Sequence, residues 1–409
     1  MRETSEMPES SGHPFSRTTG AAESTGRKVP LRGLGAALAF AVIALALAAC
    51  GSSSSTSSTS SSSSSSSGAT SAAATEATKQ VLELEKRPTA FTVPPLPSKP
   101  TPGKTIDYIA CGLPVCIAQQ VYIREAAAAV GWKFKFLNAG LSPTSVDAAY
   151  EQAVNDDPAG VIGTGGFAPE LFVHQLAKLK EKNVPVVVDD TEGSEPGLLE
   201  IVGSSSFQLE KGEEMGKWIL ADSKGKNAHV GIITTPETPV YAATHKGIEK
   251  YISGSGCSSC SVTTYDFPEE DIGTKLPTLV VTFMRTHPEV NYLFFDFANE
   301  LDGVPSALSS AGLAGKVKLT ATDSGNVENE YLKKGQESAT AADPWPEAYW
   351  GMFDAILRAD QGAPLSANES IVYPRMIFTG SNVLATSSSA PAPLVTDFQS
   401  VYKTAWHVG

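Results

Sequence analysis

The chain has 409 residues, with 44 acidic against 31 basic side chains and a formal charge of −13. That excess of carboxylates, with no basic stripe, excludes a nucleic-acid surface, because phosphate neutralisation needs clustered Lys and Arg. Apolar residues make up 41% of the chain, enough for sizeable cores, but they avoid a serine-rich block near the N-terminus.

Arg27, Lys28 and Arg32 precede an apolar run that closes in Leu47-Ala48-Ala49-Cys50-Gly51. A charged start, an apolar middle and small residues before a cleavage point mark residues 1–49 as a secretory signal peptide. An uncleaved membrane helix is the competing reading, for which about 17 Ala-rich apolar residues is a marginal length. The closing motif resembles a lipobox, in which the cysteine thiol takes a diacylglyceryl group. This implies lipidation of Cys50 and a lipid anchor in the cell membrane, with the protein on the extracytoplasmic face. Residues 52–67 are nearly all Ser or Thr, and prolines stand at 88, 94, 95, 97, 100 and 102. Residues 50–103 therefore read as a disordered linker, interrupted at most by a short amphipathic helix over 78–86.

From residue 104 strands and helices alternate. Strands are predicted at 105–110, 133–137, 160–163, 184–188 and 199–203, with helices at 118–130, from Ser142-Pro143 onward, at 169–182 and at 207–222. The series then restarts, with strands at 228–233, 261–265, 291–295, 317–322 and 338–341. Helices at 240–253, 273–286, 302–311, 326–334 and 346–359 separate and follow them. The strands are continuous β-branched runs, as a parallel sheet covered on both faces requires. Two such series predict an α/β protein of two doubly wound parallel-sheet lobes with a solute cleft at the strands' carboxyl ends. The lobe boundaries are expected at 104–205 plus 343–371 and at 206–342 plus 372–385. Crossings near 204–206, 343–344 and 371–374 form a three-crossing hinge. Residues 386–409 read as a further linker and a short helix, with Phe398, Tyr402 and Trp406 on one face, docked on a lobe.

Setting Cys50 aside leaves Cys111, Cys116, Cys257 and Cys260. Outside the cytoplasm an even set reads as disulfides, here the local pairs Cys111–Cys116 and Cys257–Cys260. A four-cysteine zinc site and a redox Cys-x-x-Cys are the alternatives. The loop position of Cys257, after Gly254-Ser255-Gly256, speaks against the second.

Several segments resemble the type 1 periplasmic binding protein family, nearest to the ribose/xylose-type sugar receptors of ABC importers. They are Asn183-Val184-Pro185-Val186-Val187-Val188-Asp189-Asp190, Ile201-Val202-Gly203-Ser204, His229-Val230-Gly231-Ile232-Ile233, His245-Lys246-Gly247-Ile248, Ala307-Leu308-Ser309-Ser310-Ala311-Gly312 and Thr322-Asp323-Ser324-Gly325. The resemblance implies ligand-binding roles for Asp190 and Asp323 at strand ends and for Asp343 and Trp345 where the chain recrosses. Phe167, Phe207 and Tyr241 are candidate apolar walls. Cys116, in the loop Cys111-Gly112-Leu113-Pro114-Val115-Cys116, stands where relatives carry Asn and Phe. Relatives also carry arginines that grip a monosaccharide, whereas here Asp190-Thr191-Glu192 and Tyr241-Ala242-Ala243-Thr244 hold none. Three aspartates suit a polyol or an amine-bearing solute.

No nucleophile elbow, zinc-protease motif or phosphate loop is present, and the six histidines show no metal-ligand spacing. The expected protein is a non-enzymatic monomer without cofactor or metal, handing a small-molecule solute to an ABC permease. A receptor feeding a signalling partner is the alternative, and a cell-wall hydrolase a more remote one. Hinge closure on the solute is the expected mechanism.

Overall fold

The computed structural model describes residues 71–254, 257–323, 325–385 and 390–409. Cys50 and the signal segment lie outside them. Helix α1 (Ala72–Leu84) comes first, capped by the Ser71 side chain.

The first lobe is built from β1 (Thr105–Cys111), α2 (Pro114–Ala129), β2 (Lys133–Gly140), α3 (Pro143–Asp156), β3 (Gly160–Gly163), α4 (Val173–Glu181), β4 (Val186–Asp189) and β5 (Leu198–Val202). Its sheet runs β2-β1-β3-β4-β5 with every strand parallel. Residues of β1, β3 and β4 are buried almost throughout, as strands covered by helices on both faces must be. α3 starts as its sequence dictates, with Ser142 as N-cap in a capping box with Ser145 and proline in the first turn. α2 starts four residues earlier than expected. Pro114 is tolerated in the first turn, so Cys116 lies on a helix and not in a loop.

The chain then crosses into α5 (Ser205–Asp222), β6 (His229–Thr234), α6 (Ala242–Ile252), β7 (Ser261–Asp266), α7 (Leu276–Thr286), β8 (Tyr292–Phe295), α8 (Val304–Ser310), β9 (Lys318–Thr322), α9 (Asn326–Lys333) and β10 (Ala339–Ala342). It returns to the first lobe as α10 (Trp345–Asp360) and α11 (Ser366–Glu369), then recrosses to β11 (Met376–Phe378). The second sheet runs β11-β10-β9-β8-β6-β7, and β11 is antiparallel to β10. Three residues are too few to show a period, so β11 was not legible in the sequence.

α10 is buried on every side from Trp345 to Arg358. One side faces the first sheet, and the other is covered by the C-terminal tail with its helix α12 (Phe398–Ala405). The Trp406 ring stacks on Trp350 with centroids 5.1 Å apart, and its Nε1 donates to Asp354 Oδ1 at 2.7 Å. Arg358 Nε donates to the other oxygen of Asp354 at 2.7 Å, and the Val395 amide donates to Glu347 Oε1 at 2.7 Å. The polar residues of this helix are thus fixing points for the tail.

The linker expected over residues 50–103 is corrected from residue 71 onward. Ala74, Ala77 and Val81 lie one helical turn apart and are buried against α5 of the second lobe. Phe91, Val93 and Leu96 then pack on the first lobe's core, where the Leu96 amide donates to the Ala405 carbonyl at 2.9 Å. Similarly, Ala390, Leu394 and Val395 of the expected C-terminal linker are buried. The three hinge crossings therefore have two companions, one on each side of the folded region. Arg87 ties these together by donating to the carbonyls of Leu394 at 2.9 Å and Pro393 at 3.0 Å.

Candidate functional site

Both sheets direct their carboxyl ends toward the gap between the lobes, where open α/β sheets bind ligands. From the first lobe come Cys111 at the end of β1, Cys116 and Gln119 on α2, Gly165 and Gly166 after β3, and Asp189 and Asp190 at β4. From the second come Thr238 and Tyr241 after β6, Glu269 after β7, Phe297 after β8 and Asp323 after β9, with Trp345 at the start of α10. They enclose a cavity of about 50 Å³, room for a few waters. The lobes meet around it, with Leu113 packed on Val240, Tyr241 and Phe297.

Asp190 and Asp323, from opposite lobes, both have left-handed backbones, φ +44° and +67°. Asp is among the few residues that adopt this region at small cost. The tightness is local: a side chain at Gly203 would meet Asp190 Oδ1 at 2.2 Å, so only glycine fits there. Gln208 Nε2 donates to that same oxygen at 2.8 Å, and Trp345 Nε1 donates to Asp323 Oδ1. Asp189 accepts from the Gly165 amide at 2.8 Å and from Tyr349 OH at 2.9 Å. Tyr349 OH also lies 2.6 Å from the Gln119 side-chain oxygen, yet it has one proton for two acceptors.

Burial pushes Asp190 and Asp323 well above the usual carboxylate range. For Asp323 the neighbouring Asp343 adds to the effect, and for Asp190 the Lys211 ammonium partly opposes it. Burial raises Asp189 to about 6, against the stabilising hydrogen bonds from Gly165 and Tyr349. Glu269 is raised to about 7 by burial and by Glu237. Lys211, 1% exposed, bonds Asp343 Oδ2 at 2.8 Å. Burial opposes its charge, but Asp343, Asp323 and Asp190 outweigh that and hold its pKa above the ordinary value.

Of the residues expected at the site, Asp190, Asp323, Trp345, Tyr241 and Cys116 line the cavity. Asp343 stands behind the wall, occupied by Lys211. Phe167 is half-buried and packs on the two cores of the first lobe, outside the cavity lining. Phe207 lies under Lys211 and Arg375, 5.5 and 4.5 Å from its ring centre. Asp189, Glu269, Phe297, Gln119 and Thr238 were not singled out from the sequence. Asp189 had a signal there, as the residue preceding Asp190 at a strand end. Cys111 and Cys116 are joined as a disulfide with Cα atoms 5.5 Å apart, and Cys257 and Cys260 form a second at 5.4 Å. Each pair is thereby committed to its own bridge, and no cluster of metal-ligating side chains occurs among the described residues.

The sequence profile of the periplasmic binding protein domain matches residues 114–362, well over half of the chain. The chain belongs to this family, whose members are non-enzymatic solute binders. No protein of curated function matches it. Among solved structures, the glucose-galactose binding protein GanP of Geobacillus stearothermophilus is similar at 16% identity and a TM-score of 0.60, covering 70% of this chain and 100% of its own. A solute-binding protein of Burkholderia graminis C4D1M in complex with D-arabinose gives 16% identity and a TM-score of 0.61, over 70% of this chain and 99% of that one. A XylFII–LytSN complex gives 16% and 0.59, over 69% and 100%. Identities this low establish the two-lobed fold and leave each ligand with its own protein.

Proposed function

We propose that this chain is the extracytoplasmic solute-binding lipoprotein of an ABC importer, capturing a small polar solute of sugar- or polyol-like character between its lobes. The observation that carries this reading is the enclosed cavity, to which Asp190 contributes from one lobe and Asp323 from the other. A solute bridging both has more contacts in the closed state than in the open one, and that difference drives closure. A membrane permease then reads the closed shape. Capture needs neither cofactor nor metal, and one chain encloses the cavity, so a monomer suffices.

The lipid anchor at Cys50 is part of the proposal. Cys50→Ser is expected to release the protein from the membrane fraction into the extracytoplasmic fluid, and retention at wild-type level would refute the anchor. For capture, sugars and polyols are screened by thermal shift. At least one is expected to raise the melting temperature in proportion to saturation and to be recovered unchanged. Asp190→Asn combined with Asp323→Asn is expected to abolish the shift. Consumption of the solute would instead favour a hydrolase. The signalling alternative draws on one observation, that a XylFII chain of this fold occurs in a complex with LytSN.

A further inference from the structure

We infer that the captured solute carries a protonated amine, an inference that rests on solute capture by the interlobe cavity. The walls are rich in acceptors and poor in cations. Asp189, Asp190, Glu269 and Asp323 face the cavity. Among the described residues Lys211 is the one ammonium beside the cluster, and Asp343 already occupies it at 2.8 Å from behind the wall. No Lys, Arg or His among the described residues is part of the lining.

Each hydroxyl of a neutral polyol brings one donor and two acceptor lone pairs, and the lining side chains meet those acceptors only where a carboxyl keeps its proton. An ammonium brings three donors, no acceptor and the missing positive charge. The apolar walls agree. Tyr241, Phe297 and Trp345 line the same space, and the Tyr241 and Phe297 ring centres are 5.7 Å apart. Aromatic faces flanked by carboxylates attract a desolvated cation. A second observation points to a ligand independently of the charge count. Tyr241 is 95% buried (5% exposed) and lines the cavity, and its hydroxyl has no hydrogen-bond partner among the described residues. That hydroxyl, on the cavity wall, is placed to meet a solute hydroxyl beside the amine, and the small cavity sets a correspondingly small frame.

The test compares matched pairs that differ by one amine: ethanolamine with ethylene glycol, serinol with glycerol, and D-glucosamine with D-glucose. Each is titrated calorimetrically into the folded protein at neutral pH. In at least one pair the amine is expected to bind ten-fold or more tightly than its neutral partner. Asp323→Asn and Asp190→Asn, each nearly isosteric, are expected to weaken the amine far more than its neutral partner and so to erase that preference. Neutral members binding as tightly as amines would overturn the inference and leave solute capture standing. A preference untouched by either variant would overturn it too. Binding by no member of any pair would overturn the inference and count against capture itself.

Discussion

Among the described residues, Lys211 is the only buried cation beside the cleft's carboxylates, and its ion-pair partner, Asp343, is 2% exposed. Taking two charges out of water gains little net stability, but removing one partner strands the other. Lys211→Met is therefore expected to lower stability by about 3–5 kcal/mol in urea unfolding. Adding Asp343→Leu should recover most of that loss, since the stranded carboxylate goes with it. An unchanged midpoint for the single variant would mean that the pair is not formed. At the same scale, Asp190 and Asp323 were singled out through the resemblance to binding proteins that place aspartates at strand ends, and both line the cavity. Glu269 and Phe297 were not legible, since their loops follow strands without a distinguishing motif. Phe167 failed for the converse reason. It follows a strand as Tyr241 follows one, but an aromatic ring next to two apolar cores gains more from packing than from facing a cleft.

At the scale of elements, α10 and α12 behave as one unit. Trp406 is fully buried, stacked on Trp350 and bonded to Asp354, so Trp406→Ala removes a large apolar surface and a buried donor together. A loss of about 3–5 kcal/mol is expected for such a cavity, checked by denaturant midpoint, and a loss below about 1 kcal/mol would mean that the tail is not docked. The spacing of Phe398, Tyr402 and Trp406 announced this helix and its apolar face. What it docks on was hidden, because the receiving surface is spread over α2, α10 and the extended segment near Leu96. The strands and helices of both lobes were legible from period and caps, with Ser142-Pro143 as the clearest start. α1 was mostly lost inside the linker, since Ala74, Ala77 and Val81 make a weak apolar stripe that gains its meaning from α5. The start of α2 was displaced by Pro114, read as a loop residue where it is a first-turn one.

At the scale of the whole molecule, buried carboxyls set an unusual pH response. Burial raises Glu214 to about 7, against the opposing Arg375 charge. It raises Glu328 to about 7 and Glu347 to about 7, the latter against backbone hydrogen bonds around Val395. In each case the folded state holds a proton that the unfolded chain, with an ordinary value of 4.5, has already released. Unfolding between these values gives up protons, so stability falls as pH rises through the window. The melting temperature is expected to be higher near pH 5 than near pH 8, and a rise toward pH 8 would contradict these assignments.

The lobes are joined by the three crossings and also by the segments after α1 and before α12, tied to each other through Arg87. Closure on a solute must work against all five. The most direct test of capture is the distance between the lobes. Leu141 and Val327 are exposed on different lobes, 45% and 52%, and Leu141→Cys with Val327→Cys accepts two spin labels. Pulsed dipolar spectroscopy, with a solute that raises the melting temperature, is expected to show a broad distribution collapsing to one shorter distance. A distribution that stays the same at saturating solute would contradict capture by hinge closure.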